Sequence, residues 1–242
     1  MATRHRITRK ELKQPDEFQT VFETAALFFE LHMREVLLAA AALIAIAAIV
    51  LGLYYYEASR ARSAAARFDQ ALNELQGGEY TAAEQHFASL AGAEPHRAVG
   101  RLANLYLADA FLAQNQPAKA RDALQRFLAS SGPPLFRDAA LNDLAVAYED
   151  LGDYKQAESA YRQASDIAGP DQVRAELGVA RMLQKQGRKT DAIAAYRDFL
   201  RLHPYAPERT LAMGAMAQLG VAPDTVPAIP PTVKLIKPAA AQ

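Results

Sequence analysis

The pattern of apolar and polar residues changes at Val36, where an uncharged, apolar stretch begins that runs without interruption to Leu53. As a helix it would be about 27 Å long. The three tyrosines at 54–56 extend it to about 31 Å, roughly the thickness of a hydrocarbon core. Tyrosine is favoured at the membrane interface, so the pattern predicts a single transmembrane helix over residues 36–56. A buried helix of a soluble protein and a signal sequence cleaved near residues 63–66 are the alternatives.

The segment 1–35 precedes the predicted span and has apolar residues at helical spacing between Asp16 and His32. Acidic residues occupy much of the remaining surface. We therefore expect an amphipathic helix that lies along the membrane surface or docks onto a partner membrane protein. A plain cytoplasmic extension of the span is the simpler alternative. The apolar positions are Phe18, Val21, Phe22, Ala25, Phe28 and Phe29.

Basic residues near the ends of the span predict its orientation, because cytoplasmic flanks are enriched in lysine and arginine. More of them precede the span than follow it within a comparable distance. We therefore expect the N-terminus in the cytoplasm and the chain after residue 56 outside it. The residues compared are Arg4, Arg6, Arg9, Lys10, Lys13 and Arg34 before the span, and Arg60, Arg62 and Arg67 after it.

Four segments after the span share one arrangement of residues: a turn residue, a small residue five positions later, and a large residue four positions beyond that. Each of these three series advances in steps of 37, 37 and 35 residues, which predicts a repeated helical hairpin. The turn residues are Gly78, Asn115, Gly152 and Gly187; the small residues are Ala83, Ala120, Ala157 and Ala192; the large residues are Phe87, Leu124, Tyr161 and Tyr196.

Each class of residue in the repeat has a physical reason. Glycine and asparagine accept the left-handed backbone that ends a helix. Alanine lets two antiparallel helices approach closely, and the large residue on the same face fills the space between neighbouring units. Such hairpins cannot bury their apolar faces alone, so they are expected to stack as a solenoid. Helix-breaking prolines follow each unit, at Pro95, Pro133, Pro134, Pro170 and Pro204.

This repeat resembles the tetratricopeptide repeat (TPR) family, whose units are nominally about 34 residues long. The resemblance implies units at about 64–95, 101–134, 138–171 and 173–206. The second unit departs from the family pattern at Asn115 and Pro117, and the opening helix of the first unit is degenerate. The residues that match the family's packing positions are Leu141, Leu144, Ala145, Tyr148, Gly152, Tyr154, Ala157, Tyr161 and Ala164 in the third unit, and Val179, Ala180, Gly187, Ala192, Tyr196, Phe199 and Pro204 in the fourth.

The remaining segments complete an all-α architecture. Residues 207–219 are predicted to form a capping helix, and the proline-rich stretch 220–242 to be extended or disordered. No glycine or proline lies between Gly52 and Gly77, so the transmembrane helix is expected to run on into the first repeat. The predicted fold is a single transmembrane helix followed by a TPR-like α-solenoid of about four helical hairpins plus a cap, with the repeat domain over 57–219.

Composition and motifs narrow the classes of function. Lys+Arg and Asp+Glu both total 27, and a chain so balanced lacks the basic surface that nucleic-acid binding requires. The absence of cysteine excludes disulfides, thiolate metal sites and a cysteine nucleophile, and fits an oxidising compartment. The five histidines are scattered, and the sequence GRKT at 187–190 lacks the glycine that a phosphate loop needs at Met182. We therefore expect no enzyme activity, metal, cofactor or small-molecule substrate.

The TPR resemblance implies a groove that binds peptide segments and is lined by the first helix of each unit. On this chain the groove would be apolar in the second unit and basic in the last, where a carboxylate or acidic segment could bind. A solvated polar face is the alternative, and the lysine–asparagine clamp of some family members is not reproduced. The predicted groove residues are Leu102, Leu105, Asp109, Leu112, Asn142, Val146, Glu149, Arg174, Leu177, Arg181, Gln184 and Lys185.

The whole layout is similar to that of the bacterial ancillary subunit of the Sec translocon. That subunit is a membrane-anchored periplasmic repeat protein, which implies assistance to proteins emerging from the channel. Our leading hypothesis is thus a translocon-associated or chaperone-like adaptor in the bacterial inner membrane, with its repeats in the periplasm and proteins as partners. The alternative is a structural scaffold subunit of another membrane complex, respiratory, photosynthetic or envelope-building. Small residues on the span, such as Ala41 and Ala45, would suit close helix packing.

Overall fold

The computed structural model describes residues 25–28, 30–130 and 132–221. All regular secondary structure in these ranges is helical, which confirms the all-α prediction. The predicted acidic–aromatic helix lies mostly outside the described residues, as does the tail from residue 222. The α-helices are α1 (Met33–Gln76), α2 (Tyr80–Ala93), α3 (Ala98–Ala113), α4 (Pro117–Ala129), α5 (Arg137–Asp150), α6 (Tyr154–Ser165), α7 (Gln172–Lys185), α8 (Lys189–Leu202) and α9 (Arg209–Gln218), with a 3₁₀ turn at Pro134–Phe136 before α5.

The chain forms two compact units, Met1–Arg62 and Ser63–Gln242. In the first unit, α1 is long and apolar enough to cross a membrane, and no residue of its most apolar window is buried. Large side chains there are well exposed, for example 62% for Leu37 and 70% for Ile44. Helix α1 continues without a break to Gln76, as the absence of glycine and proline predicts.

The second unit is a solenoid in which each helix from α2 to α9 packs on the next along the chain. Helices α3 and α5 also contact each other, as do α5 and α7, so the first helices of successive hairpins form one row. The small and large positions of the repeat all lie in a shared core, as predicted. The alanines are fully buried, and the large residues Phe87, Leu124, Tyr161 and Tyr196 are at most 2% exposed.

The opening helix of the first hairpin is the C-terminal part of α1, although its sequence matches the repeat poorly. Ala64 and Ala71 are fully buried there. Phe68 makes edge contacts with Phe87 and Tyr106, at ring-centroid distances of 5.5 and 5.4 Å. Besides these buried alanines, an aromatic cluster therefore ties the first hairpin to the second.

Left-handed residues end the first helix of each hairpin. The predicted turn residues have φ of 81° at Gly78, 57° at Asn115, 76° at Gly152 and 74° at Gly187. Each turn has the same pair of backbone hydrogen bonds; in the last repeat, Gly187 N–H donates to Gln184 O and Arg188 N–H to Leu183 O, both at 3.0 Å. This is the Schellman pattern that satisfies the last carbonyls of a helix. The cap helix α9 ends in the same way at Gly220, with φ 79°.

A side-chain clamp joins neighbouring hairpins at two of the three junctions. Gln186 Nε2 donates to Glu158 Oε2 at 2.8 Å and to Tyr154 O at 3.2 Å. Two repeats earlier, at the junction between the first and second hairpins, the amide of Gln114 makes the equivalent bonds to Glu84 and to Tyr80 O. At the middle junction the equivalent positions are Leu151 and Arg121, which cannot form this glutamine–glutamate bond. The second and third hairpins are therefore joined without a clamp.

Candidate protein-binding groove

The predicted groove residues of the second hairpin lie on α3 and are mostly engaged in packing. Leu105 is 4% exposed and belongs to the core. Leu102 and Leu112 are half-buried against it. Asp109 is half-buried on the same helix. This part of the row is apolar and includes one carboxylate.

The predicted groove residue Asn142 of the third hairpin has its side-chain amide buried and hydrogen-bonded within the repeat domain. Asn142 is fully buried, and its Nδ2 donates to Asp138 O one turn earlier at 3.1 Å. The same nitrogen lies 3.5 Å from Asp171 O, at the start of α7. Asn142 therefore links two hairpins, while Val146 and Glu149 remain half-buried on α5.

The basic face predicted on α7 is partly neutralised by neighbouring acids. Arg181 Nη2 donates to Glu149 Oε2 at 2.6 Å and to Tyr161 Oη at 3.1 Å. Arg174 lies 4.0 Å from Asp171 Oδ1. Among the described residues no ion pair involves Lys185, which is exposed. Two predicted groove residues from different hairpins, Glu149 and Arg181, thus form one contact.

The groups around Arg181 keep its guanidinium protonated. Burial lowers the pKa of the guanidinium, but the bond to Glu149 and the nearby Tyr161 and Tyr196 hydroxyls outweigh it, so the pKa rises above its ordinary value. The guanidinium also lies 5.8 Å from the centre of the Tyr161 ring, a cation–π distance. Arg181 is therefore a fixed cation that organises the junction between the third and fourth hairpins.

An acidic pair spans the middle junction, and only one of its members is a predicted groove residue. Burial raises the pKa of Asp109 to about 7, with a further contribution from Asp143 on α5. Burial also raises the pKa of Asp143 to about 6, although Arg174 opposes the shift. Burial followed by the charge of Asp109 raises the pKa of Tyr106 as well. The surface between the apolar and basic parts is thus acidic, which the sequence interpretation did not include.

A cleft of about 730 Å³ lies where the last hairpin meets the cap helix. Four predicted groove residues of α7 come together in it: Leu177, Arg181, Gln184 and Lys185. Tyr196 of α8 also lines it and donates from Oη to Gln184 Oε1 at 2.8 Å. Its other wall belongs to α9, through Thr210, Leu211, Gly214, Ala215 and Gln218.

The sequence matches the tetratricopeptide repeat family over 68–134, 105–168 and 142–207, which together cover more than half of the chain. The chain belongs to the tetratricopeptide repeat family. The TPR match accounts for the stacked hairpins, the buried alanines and the row of first helices that carries the groove residues.

Solved TPR structures share the fold. The chain superposes on the crystal structure of MamA with a TM-score of 0.56 and 16% identity over 64% of this chain and 80% of that one. It is similar to PilF of Pseudomonas aeruginosa, with a TM-score of 0.52 and 22% identity over 66% and 69%. It also superposes on the TPR-like repeats of a kinesin light chain protein from Podosopora anserina, with a TM-score of 0.53 and 19% identity over 64% of this chain and 83% of that one. At these identities the likeness concerns the fold. No curated protein matches the chain in sequence.

The described part of this TPR protein offers no metal-binding geometry. Those residues contain no group of three or more histidine, aspartate or glutamate side chains placed to hold a metal ion. The histidines with close acidic partners form isolated pairs instead: His86 with Glu74, and His203 with Glu176, each at 2.6 Å. The chemistry that the described groove offers is recognition by apolar contact, charge and hydrogen bonding.

Proposed function

We propose that this TPR protein is anchored in a membrane by residues 36–56 and binds other proteins through its repeats. The observation that carries the proposal is the exposed apolar surface of α1, in the same chain as a TPR solenoid. Leucine and isoleucine side chains along this stretch are more than half exposed, which is unfavourable in water and favourable in lipid. Tyr54, Tyr55 and Tyr56 are also exposed, as suits an interfacial belt.

The proposed orientation places the N-terminus in the cytoplasm and the repeats outside it, in the periplasm of a bacterium. The excess of basic residues before the span supports this orientation. The lack of cysteine fits such a compartment. Within this frame, the repeats serve as a translocon-associated or chaperone-like adaptor for extracytoplasmic proteins. The chain has no enzymatic role in this proposal, since TPR solenoids generally act as interaction scaffolds.

The topology can be tested with single cysteines, because the chain has none of its own. Lys155 is exposed on α6, so a Lys155→Cys variant should react with a membrane-impermeant maleimide in intact spheroplasts. Thr8→Cys, in the proposed cytoplasmic segment, is the matched control and should react only after lysis. Labelling of Thr8→Cys alone in intact spheroplasts would reverse the orientation, and recovery of the chain in the soluble fraction after lysis would argue against an anchor.

The adaptor role can be tested by cross-linking mass spectrometry on intact membranes, using the full-length chain at its native level. We expect cross-links from the repeats to several secretory proteins at low stoichiometry, together with components of the Sec channel. A single partner at fixed stoichiometry would instead favour the scaffold alternative. Recovery of the protein without any Sec component or secretory client would contradict the adaptor role.

A further inference from the structure

Another cleft, of about 350 Å³, lies between α6, α7 and α8, and we call it the α6–α8 cleft. None of the predicted groove residues lines it. Most of its lining side chains belong to α6 and α8, the second helices of the last two hairpins. It therefore lies apart from the row of first helices that carries the groove. Its volume falls within the range of about 300–1,000 Å³ that is usual for ligand sites.

The lining of the α6–α8 cleft is acidic. Three carboxylates line it against one guanidinium, which is a formal excess of two negative charges. That guanidinium, of Arg162, is also bonded at 2.8 Å to Glu158, which does not line the cleft. The cation in the cleft is therefore already matched by an acid outside it. The three carboxylates belong to Asp166, Glu176 and Asp198.

These carboxylates differ in how they are paired. Glu176 lies 2.6 Å from His203 Nε2, and Asp198 lies 3.2 Å from Arg201 in a largely exposed pair, which contributes little. Asp166 has no ion pair among the described residues. It is exposed at the C-terminal cap of α6, where the last carbonyl groups carry partial negative charge. A cation beside Asp166 would therefore be favourable.

Uncovered apolar surface lies beside these charges. Leu202, at the end of α8, lines the cleft and is 55% exposed. Ala195 lies two turns earlier on the same face of α8 and is half-buried. Covering these side chains would be favourable in proportion to the apolar area removed from water. The cleft thus suits a segment in which lysine or arginine lies next to apolar residues.

The chain contains such a segment after α9. Residues 233–237 read Val-Lys-Leu-Ile-Lys, with two lysines among three large apolar residues. Asp224 is the only acid between residues 222 and 242, so this part of the chain has a net positive charge. Prolines flank the segment at 230, 231 and 238 and disfavour a helix there. Its charge and its apolar residues complement those of the α6–α8 cleft.

The last described residues direct the chain back towards the repeats. Gly220 is left-handed, and Val221 N–H donates to Met216 O at 3.0 Å, so the chain reverses at the end of α9. Val221 packs against the core. Twelve residues separate Val221 from Lys234 and can span about 40 Å, whereas α8 is only about 21 Å long. The segment can therefore reach the far end of α8, where the cleft lies.

We propose that residues 233–237 bind in the α6–α8 cleft of the same chain. The lysines donate charge-assisted hydrogen bonds to Asp166 and Asp198, and the apolar residues cover Leu202 and Ala195. A tethered segment has an effective concentration on the order of millimolar, so these few contacts suffice. The bound segment joins the third hairpin to the fourth on the side away from the groove row. This inference does not depend on the proposed adaptor role.

The test places a photoreactive aliphatic amino acid at Leu235 of the full-length chain, purified in detergent. Chains of two isotopic compositions are mixed, so that mass spectrometry of the cross-linked peptides separates contacts within a chain from contacts between chains. We expect Leu235 to cross-link within its own chain to residues of α6 and α8 that line the cleft. Val226 is the matched control, because it reaches only about 17 Å from Val221 and should not label the cleft.

Charge variants then test the proposed ion pairs. Changing Lys234 and Lys237 together to glutamate should lower the yield of cleft cross-links by about tenfold, since attraction is replaced by repulsion. Changing both to arginine should retain the yield. Adding Asp166→Lys and Asp198→Lys to the glutamate variant should restore it, because opposite charges then face each other again.

The matched control for this charge exchange adds Asp69→Lys and Asp150→Lys to the glutamate variant instead. Both aspartates are exposed and neither lines the cleft, so the net charge changes equally but the yield should stay low. Unchanged circular dichroism and melting temperature would show that the variants are folded.

Several outcomes would overturn the inference. Cross-links from Leu235 to a second copy of the chain, or to sites outside the α6–α8 cleft, would show that the segment binds elsewhere. The absence of any protein cross-link would show that it stays unbound. Equal yields from the glutamate variant and wild type, or restoration by the control exchange, would show that the lysines do not pair with Asp166 and Asp198.

Discussion

At the scale of single residues, one glycine lies at a close contact between the third and fourth hairpins. Gly178 is buried on α7, and a Cβ there would lie 2.7 Å from ring atoms of Tyr161, which is 1% exposed. Glycine costs a helix interior about 1 kcal/mol relative to alanine, so a glycine in α7 needs a compensating reason. That reason is the close approach of the Tyr161 ring, whose hydroxyl is in turn held by Arg181.

We predict that Gly178→Ala destabilises the repeat domain by about 1–3 kcal/mol, because overpacking against Tyr161 outweighs the gain in helix propensity. Gly214→Ala is the matched control, since its Cβ has open space, and it should gain up to about 1 kcal/mol. Urea unfolding of the full chain in detergent, followed by circular dichroism, measures both. Equal gains in the two variants would show that the contact at Gly178 relaxes without cost.

At the scale of elements, junctions between hairpins differ in their polar contacts. Glu158 is 9% exposed and accepts hydrogen bonds from Arg162, Gln186 and Arg188. Its hydrogen bonds and ion pairs lower its pKa although burial opposes them. The carboxylate is thereby satisfied, and it anchors the turn of the fourth hairpin on the second helix of the third. The middle junction has no equivalent anchor.

We predict that Gln186→Leu costs about 1–2 kcal/mol, because Glu158 and the Tyr154 carbonyl each lose a donor. Leucine is compatible with the backbone there, since Leu151 occupies the equivalent position of the third hairpin. Gln163→Leu is the control: that side chain is exposed and bonds only to Ser159 on its own helix, so its change should be within about 0.5 kcal/mol. A double-mutant cycle with Glu158→Gln would isolate the clamp; additive effects would mean that the two side chains act separately.

The elements themselves could be predicted because their signals are local. A left-handed turn and an alanine five residues later lie within one hairpin. Their recurrence from Gly78 to Gly187 was sufficient to identify the TPR architecture. Contacts between hairpins could not be predicted in this way. Family positions indicate which face Glu149 and Arg181 share, but the choice of partner depends on how far each side chain reaches across the junction. The cleft needed the placement of α9, for which the sequence has no repeat signal.

At the scale of the whole repeat domain, the junction that lacks the glutamine clamp is also the junction with the acidic pair. Asp109 and Asp143 lie on the two first helices that meet at the junction between the second and third hairpins, where Leu151 replaces the clamp glutamine. Groups that face the pair are Tyr106 on α3, and Asp171 and Arg174 at the start of α7. When both carboxyls are ionised, their repulsion acts on the junction that lacks the glutamine clamp, so we expect it to be the first to loosen.

This arrangement predicts a dependence of stability on pH. The ordinary pKa of both carboxyls is 3.8, and the folded values are about 7 for Asp109 and about 6 for Asp143. Between about pH 4 and 7 the folded state therefore holds more protons than the unfolded state. The free energy of unfolding from this pair is greatest below pH 4, falls as pH rises through that window, and levels off above it.

Asp109→Asn keeps the shape of the carboxyl and cannot ionise, so it should remove most of this dependence. We expect the variant to exceed wild type by roughly 2 kcal/mol at pH 8, by less at pH 5, and to differ little from it below about pH 4, as measured by urea unfolding of the full chain in detergent. Asp150→Asn, at an exposed carboxylate on α5, is the control and should follow the wild-type profile. Because each variant is compared with wild type at the same pH, the histidines contribute equally to both. If the free energy of unfolding of Asp109→Asn changed with pH in parallel with that of wild type, Asp109 would ionise in the folded protein without penalty. The acidic pair would then not destabilise the middle junction.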